Sequence, residues 1–407
     1  MKYDIIYEGK FYYKGEIVEG CIGVEDGIIK KIAKNIEGEK VRIEGTLLPA
    51  MVDMHVHFRE PGFEYKEDFL SGSMCAVLGG VSFVADMPNN RPRMDRWENL
   101  SEKFSRVRKR SFVDYELYAE ISKNTDYYLL KNHNLFKVYT YENPIEEIAE
   151  KFEYLDENDL VSFHCEDSGC LREGDARNLK EYCFLRPERC EISAVKKLLA
   201  LPKKFRKHIA HISTPDSVDI ALASNFTKEI TPHHLLFDYT ANLGAFGKVN
   251  PPLRSPGTRE ILWKMFVDGD IEVMASDHAP HTPDEKDNFE TSLPGMPGVE
   301  TTYPIFLNLF REGKISLRRL LDAIAYNPAK ILGIPKGGIK EGYHADFVAI
   351  HLGDWERITE RKLHYKCGWS PYIGFYAIFP RYVVIRGEVV VEDFEISSEP
   401  IGRRVEV

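Results

Sequence analysis

No run of apolar residues in this chain is long enough to cross a bilayer. The opening stretch, MKYDIIYEGKFYYKG, lacks the apolar core of a targeting segment. A soluble cytoplasmic protein with no membrane partner is expected. Cysteine is scarce, with seven in 407 residues, which excludes a disulfide-built scaffold. Cys165 with Cys170, or Cys183 with Cys190, lie close enough in sequence to pair, but neither bond is expected. There is no paired CxxC and no HExxH, so neither a zinc finger nor a zincin helix competes for a metal. No glycine-rich fingerprint follows the first strand, which removes the dinucleotide and P-loop folds. No long basic block occurs, and 54 basic residues stand against 64 acidic ones for a net charge of −10. That balance argues against nucleic acid as the partner.

What is present is ordinary for a globular enzyme, with 43% apolar and 29% charged residues. The first fifty residues read as short strands, with Glu25-Asp26-Gly27 as a hairpin turn between two of them. The end of the chain offers similar strands in ADFVAIHL and YVVIRGEVVVEDFEI, with a turn at Gly387. Both termini, residues 1–48 and 345–407, are expected to form one small β domain, a β sandwich. Between them, over 49–344, apolar strand-like runs alternate with helical patterns such as EISAVKKLLAL, as in a parallel sheet covered by helices. Polar residues gather at the carboxyl end of almost every strand. A (β/α)8 barrel would bring those ends to one mouth, whereas an open sheet would scatter them along a crevice. An α/β fold of the TIM-barrel type is therefore expected.

The stretch MVDMHVHFREPG, residues 51–62, poses the functional question. Side chains alternate along a strand, so Asp53, His55, His57 and Arg59 would share one face, with Val52, Met54, Val56 and Phe58 on the other. His55 and His57 could grip one divalent ion, His164 and His211 on other strands a second, and Asp277 could serve both as ligand and as proton acceptor. Lys137, at the end of LFKVY, would be costly to bury as an ammonium ion. Carboxylation of its amine by CO₂ would turn it into an anionic ligand; a stem packed in the core with its amine in water is the other reading. His208, three residues before His211, should face away as a packing or hydrogen-bonding residue. His233 and His234 are adjacent and cannot share a face, and His133 reads as a surface residue.

DMHVHFREPG, MPNNRP, FKVYT, HCED, HISTPDS, TPHHL, VNPPLR and SDHAPH, in that order, resemble the successive signatures of the amidohydrolase superfamily and, within it, of the dihydroorotases. The resemblance spans nearly the whole chain. It implies two Zn²⁺ ions, one held by His55, His57 and Asp277, the other by His164 and His211, with carboxylated Lys137 bridging them. It further implies that Arg59, Asn89 and His281 hold a substrate carboxylate, while Asn250 and the backbone at Pro297 and Gly298 meet the pyrimidine ring. Asp277 is then the catalytic proton carrier. The implied reaction is reversible hydrolysis of L-dihydroorotate to N-carbamoyl-L-aspartate, run in the condensing direction in pyrimidine synthesis. Allantoinases and dihydropyrimidinases (hydantoinases) share the metal cage and are the alternative. Arg59 separates them, because guanidinium is the natural bidentate partner of a carboxylate and allantoinases commonly carry asparagine there. Relatives are often homodimers or associate with aspartate transcarbamoylase. The segment 281–298, rich in Pro, Gly, Asp and Glu, reads as a loop able to close over substrate.

Overall fold

The computed structural model describes residues 3–407. Four strands open the chain: β1 (Ile5–Tyr13), β2 (Glu16–Glu25), β3 (Ile28–Ala33) and β4 (Val41–Pro49). Asp26 and Gly27, with φ of 54° and 74°, join β2 to β3. This is the left-handed pair that a two-residue hairpin turn requires, at the turn expected from the sequence.

Nine strand segments follow: β5 (Met51–Val56), β6 (Val81–Asp86), β7 (Asp114–Leu117), β8 (Ala119–Glu120), β9 (Leu135–Tyr139), β10 (Leu160–His164), β11 (Arg206–Ile209), β12 (Thr227–Ile230) and β13 (Val273–Met274). The chain returns in β14 (Phe347–Ile350), a separate pair β15 (Glu356–Arg357) and β16 (Tyr376–Ala377), then β17 (Tyr382–Ile385), β18 (Glu388–Glu392) and β19 (Glu395–Ile396).

Strands from both ends of the chain build one eight-stranded sheet, ordered β19-β18-β17-β14-β4-β1-β2-β3. Its centre is the antiparallel pair β4 and β14, in which Leu47 faces Ala349. The middle strands are all parallel, in the orders β5-β6-β7 and β8-β9-β10-β11-β12-β13. Only Tyr118 separates β7 from β8, and its N–H donates to the Asp86 carbonyl at the end of β6. Beyond β13, His278 forms a parallel bridge with Val56 and accepts the His57 N–H at 2.8 Å. The end of the last parallel strand thus lies beside the first.

Every residue of β5, β6, β9 and β10 is buried, as expected of parallel strands covered on both faces. Val52, Met54, Phe83, Ala85, Leu135, Leu160, Val273 and Ala275 pack together as one cluster. Val84, Phe136, Val161 and Ile209 belong to a larger one that includes the helices. Among the described residues, no helix is long and apolar enough to cross a membrane.

Three readings of the sequence need correction. The strict alternation from Asp53 to Arg59 does not hold. The pairing of β5 with β6 shifts register between Asp53 and Val56, the effect of a bulge, and β5 ends at Val56. Arg59 then takes φ of 65°, so it stands on a turn and not on a strand face.

His133 is buried, not on the surface, with its Nε2 2.9 Å from the Leu117 carbonyl. Its ring packs against Phe104 and Phe136, with ring centres 6.4 and 5.7 Å away.

The cysteine bond joins Cys170 to Cys190, while Cys165 and Cys183 are free. Cys170 ends a single helical turn (Ser168–Cys170) held against the helix Glu188–Lys197 by an Asp167 N–H to Cys190 carbonyl bond of 3.0 Å.

Candidate active site

At the carboxyl ends of the parallel strands, one ligand atom each from His55, His57 and Asp277 lies within 4.8 Å of the others, and all three residues are buried. The outer nitrogen of each ring is committed elsewhere. His55 Nδ1 bonds to Glu229, and His57 Nδ1 lies 2.7 Å from Asn89 Oδ1. Both partners are acceptors, so each Nδ1 carries the proton and each Nε2 presents a lone pair. Those Nε2 atoms stand 3.3 and 3.2 Å from one oxygen of Asp277. Two lone pairs and a carboxylate turned on one another repel unless a cation lies among them, and nitrogen and oxygen donors of this kind suit a divalent metal.

Lys137, His164 and His211 stand next to this trio. The rings of His55 and His211 are 5.3 Å apart and those of His164 and His211 4.5 Å. His164 Nε2 bonds to Glu166 at 2.7 Å, and Arg186 braces the same carboxylate with a 3.0 Å bond from Nε. Burial and the neighbouring His164 and Lys137 keep His211 neutral, and its Nδ1 has no hydrogen-bond partner among the described residues. The Lys137 amine is fully buried, with Ser162 Oγ 3.4 Å away. Burial lowers the Lys137 ammonium to about 8, against the pull of Glu229 and Asp277.

Arg59, His211 and Asp277 adopt φ of 65°, 35° and 46°. Left-handed backbone is uncommon for such side chains and gathers where structure over-determines a functional geometry.

The residues expected to contact substrate have the following surroundings. Arg59 is buried; its Nε donates to the Pro280 carbonyl at 3.1 Å, and its Nη2 lies 3.1 Å from His281 Nε2. Asn89 offers its oxygen to His57, which leaves its amide N–H groups for other use. Asn250 does likewise, its oxygen taking the Tyr182 hydroxyl at 2.6 Å. The Gly298 N–H is already given to His278 Nδ1 at 3.2 Å, and its carbonyl accepts from Thr302 at 2.8 Å.

Sequence reasoning missed several members. Glu229 joins His55 to His208, whose Nε2 lies 3.1 Å from it, and it also accepts the His211 N–H at 3.2 Å. His208 is the hydrogen-bonding residue expected. His233 reaches within 4.0 Å of Asp277 and neither of its ring nitrogens has a hydrogen-bond partner among the described residues, whereas His234 is held by Thr231 and the Pro251 carbonyl. Lys66 lies 3.1 Å from His281. A carboxylate two residues ahead of TPHH was the available signal for Glu229.

Residues 46–390 match the amidohydrolase family. The chain is 40% identical over 407 residues to a dihydroorotase of Thermoplasma acidophilum, covering 97% of this chain and 96% of that one. It is 37% identical over 425 residues to a dihydroorotase of Archaeoglobus fulgidus, covering 98% and 99%. Among solved structures, an L-hydantoinase (dihydropyrimidinase) from Arthrobacter aurescens superimposes with a TM-score of 0.92 over all of both chains at 24% identity, a likeness of fold.

Proposed function

The chain belongs to the amidohydrolase family and, within it, to the dihydroorotases, and from that premise we propose that it interconverts L-dihydroorotate and N-carbamoyl-L-aspartate. The observation that carries this reading is the buried Arg59, with His281 at its side and within electrostatic reach of Asp277. A buried guanidinium beside a second hydrogen-bonding group suits a ring carboxylate, which hydantoin, allantoin and dihydrouracil lack.

In this reading 49–344 forms a closed (β/α)8 barrel, supported by the Val56–His278 bridge. Residues 1–48 and 345–407 form the companion β sandwich, supported by the sheet shared between the chain ends; residues 1 and 2 of that stretch lie outside the described residues. His55, His57 and Asp277 would hold one zinc ion, and His164 and His211 a second. Lys137 would join the two sets once CO₂ has added to its Nζ with loss of a proton. Its burial favours the neutral amine that this addition needs. When bound, the ions polarise the amide carbonyl and make water acidic enough to attack at neutral pH.

The chain's own residues do the remaining work. Arg59, the free amide of Asn89 and His281 grip the carboxylate and fix the ring's orientation. Asn250 offers its amide N–H to a ring carbonyl, and the Pro297 carbonyl accepts from a ring N–H, the Gly298 N–H beside it being given to His278. Asp277 accepts the proton of the attacking water and passes it to the departing ring nitrogen. In the reverse direction the same carboxylate takes the ureido proton as the ring closes and water leaves.

The test is an assay of purified, metal-analysed protein in both directions, beside hydantoin, allantoin and dihydrouracil. Preference for dihydroorotate is expected. Preference for any of the others would mark a different cyclic amidohydrolase.

A further inference from the structure

We propose that Lys66 and Glu285 fix which nitrogen of His281 carries the proton, and thereby make His281 a hydrogen-bond donor to an anionic group at the mouth. The proposal rests on reading Arg59 and His281 as the carboxylate contacts.

His281 is buried and held from behind, its own carbonyl accepting the Trp369 indole N–H at 2.7 Å. Its ring lies between four groups. Nδ1 stands 3.1 Å from Lys66 Nζ and 3.2 Å from Glu285 Oε2. Nε2 stands 3.1 Å from Arg59 Nη2 and 3.1 Å from the Pro294 carbonyl. Each nitrogen therefore faces one group that can only donate and one that can only accept.

Burial, with Arg59, Lys66 and Lys286 around it, keeps the ring neutral. A neutral imidazole has a single N–H, so only two arrangements satisfy the geometry. In the first, Lys66 donates into Nδ1, and the proton on Nε2 is held by the Pro294 carbonyl at 3.1 Å, to be shared with an anion that enters beside Arg59. In the second, Nδ1–H points to Glu285, and Nε2 turns its lone pair toward Arg59. Only the first brings two donors, Arg59 and His281, to bear on one carboxylate; the second would set a lone pair against the anion.

The surroundings choose the first. Lys66 is buried, paired with Glu285 Oε1 at 2.7 Å, and has His281 Nδ1 as an acceptor. Glu285 is already occupied: Oε1 takes the Tyr65 hydroxyl at 2.8 Å besides Lys66, and Oε2 takes the Thr282 N–H at 3.1 Å. Its claim on the His281 proton is correspondingly weak. Lys66 comes from the loop after β5 and Glu285 from the helical turn Pro283–Lys286, so the pair also ties the 281–298 loop to the arginine's loop. Lys66 is thus a positioning residue, acting on substrate through His281.

The test reads the tautomer directly. Imidazole ¹⁵N resonances of the substrate-free enzyme, with His281 assigned by its loss in His281→Ala, should report Nε2–H in wild type and in Lys66→Arg. In Lys66→Met they should report Nδ1–H. The KM for dihydroorotate should rise in Lys66→Met by about 10-fold or more, the scale of one hydrogen bond to a charged group. The slow hydrolysis of dihydrouracil, which has no carboxylate, should hold. In Lys66→Met/Glu285→Leu the competing acceptor is gone and part of the KM should return. An unchanged tautomer in Lys66→Met, or equal damage to both substrates, overturns the proposal. A wild type inactive on dihydroorotate overturns the activity reading instead, while the ring's tautomer still tests the control exerted by Lys66.

Discussion

The Glu229 carboxylate takes the Nδ1 proton of His55, and by doing so turns the His55 Nε2 lone pair toward Asp277, 3.3 Å away. The same carboxylate is held by His208 and by the backbone of His211, so one buried anion on β12 orients residues of β5 and of β11 and its carboxyl end. A partner of this kind fixes a ligand's tautomer and raises its basicity. Glu229→Gln should therefore weaken divalent-metal binding by about 10- to 100-fold, measured by titrating the metal-free protein with zinc. Unchanged affinity would mean that His55 is oriented by packing alone.

Lys137→Ala removes the amine on which the proposed carboxylate would be built. Activity should be lost and should partly return with added acetate or propionate, small enough to occupy the vacated space with a carboxylate. Metal content, measured alongside, should fall from two ions per chain. A variant that kept both ions and full turnover would dispose of the carboxylated lysine.

Asp277→Asn keeps an oxygen for a metal but removes the proton acceptor. With metal content confirmed, kcat should drop by about 10²-fold or more. Near-normal turnover at full occupancy would send the proton by another route, for which His233, 4.0 Å from Asp277 and with neither ring nitrogen hydrogen-bonded among the described residues, is the group to test.

Arg59→Met removes the buried guanidinium proposed to pair with the substrate carboxylate. The loss in transition-state binding should be about 2 to 5 kcal/mol, or roughly 30- to 4,000-fold in kcat/KM for dihydroorotate. Dihydrouracil hydrolysis should change little. Equal loss on both substrates would assign Arg59 to holding the Pro280 backbone, whose carbonyl it also binds.

Acid should unfold the protein partly through His133. Burial lowers its pKa from 6.5 to about 4. The unfolded chain therefore takes up this proton first, and the contribution to stability, complete above about pH 6.5, is lost as pH falls toward 4. The linkage is on the order of 3 kcal/mol. Urea titrations at several pH values should show His133→Gln losing less stability over that interval than wild type; parallel curves would mean that this histidine does not titrate on unfolding.

The residues proposed as metal ligands stand out in the sequence because His55, His57, Lys137, His164 and His211 each sit at or near the end of a short apolar run, where a polar side chain is conspicuous. The two-residue turn at Asp26-Gly27 was legible for a similarly local reason. Arg59 was not, because its left-handed backbone and its contact with Pro280 arise from a distant part of the chain. His133 was misjudged because part of what packs on its ring, Phe104, comes from a helix some 30 residues upstream. Glu229 and His208 read as ordinary residues of short strands until packing sets them against His55. The Cys170–Cys190 bond was missed because spacing favoured nearer partners, whereas a helical turn and a helix end decide which sulfurs meet.

The pairing of β4 with β14 has a consequence for how the molecule is made. Leu47 leaves the ribosome roughly 300 residues before Ala349, its partner across the sheet. Until then β4 has β1 on one side and an open edge on the other, the kind of edge that recruits wrong strands. The first four strands must therefore wait, incomplete, while the whole catalytic unit is synthesised. The sheet can be completed only once β14 has been made, and a chain released before it, even with Asp277 and the preceding histidines already translated, is left with that edge uncovered.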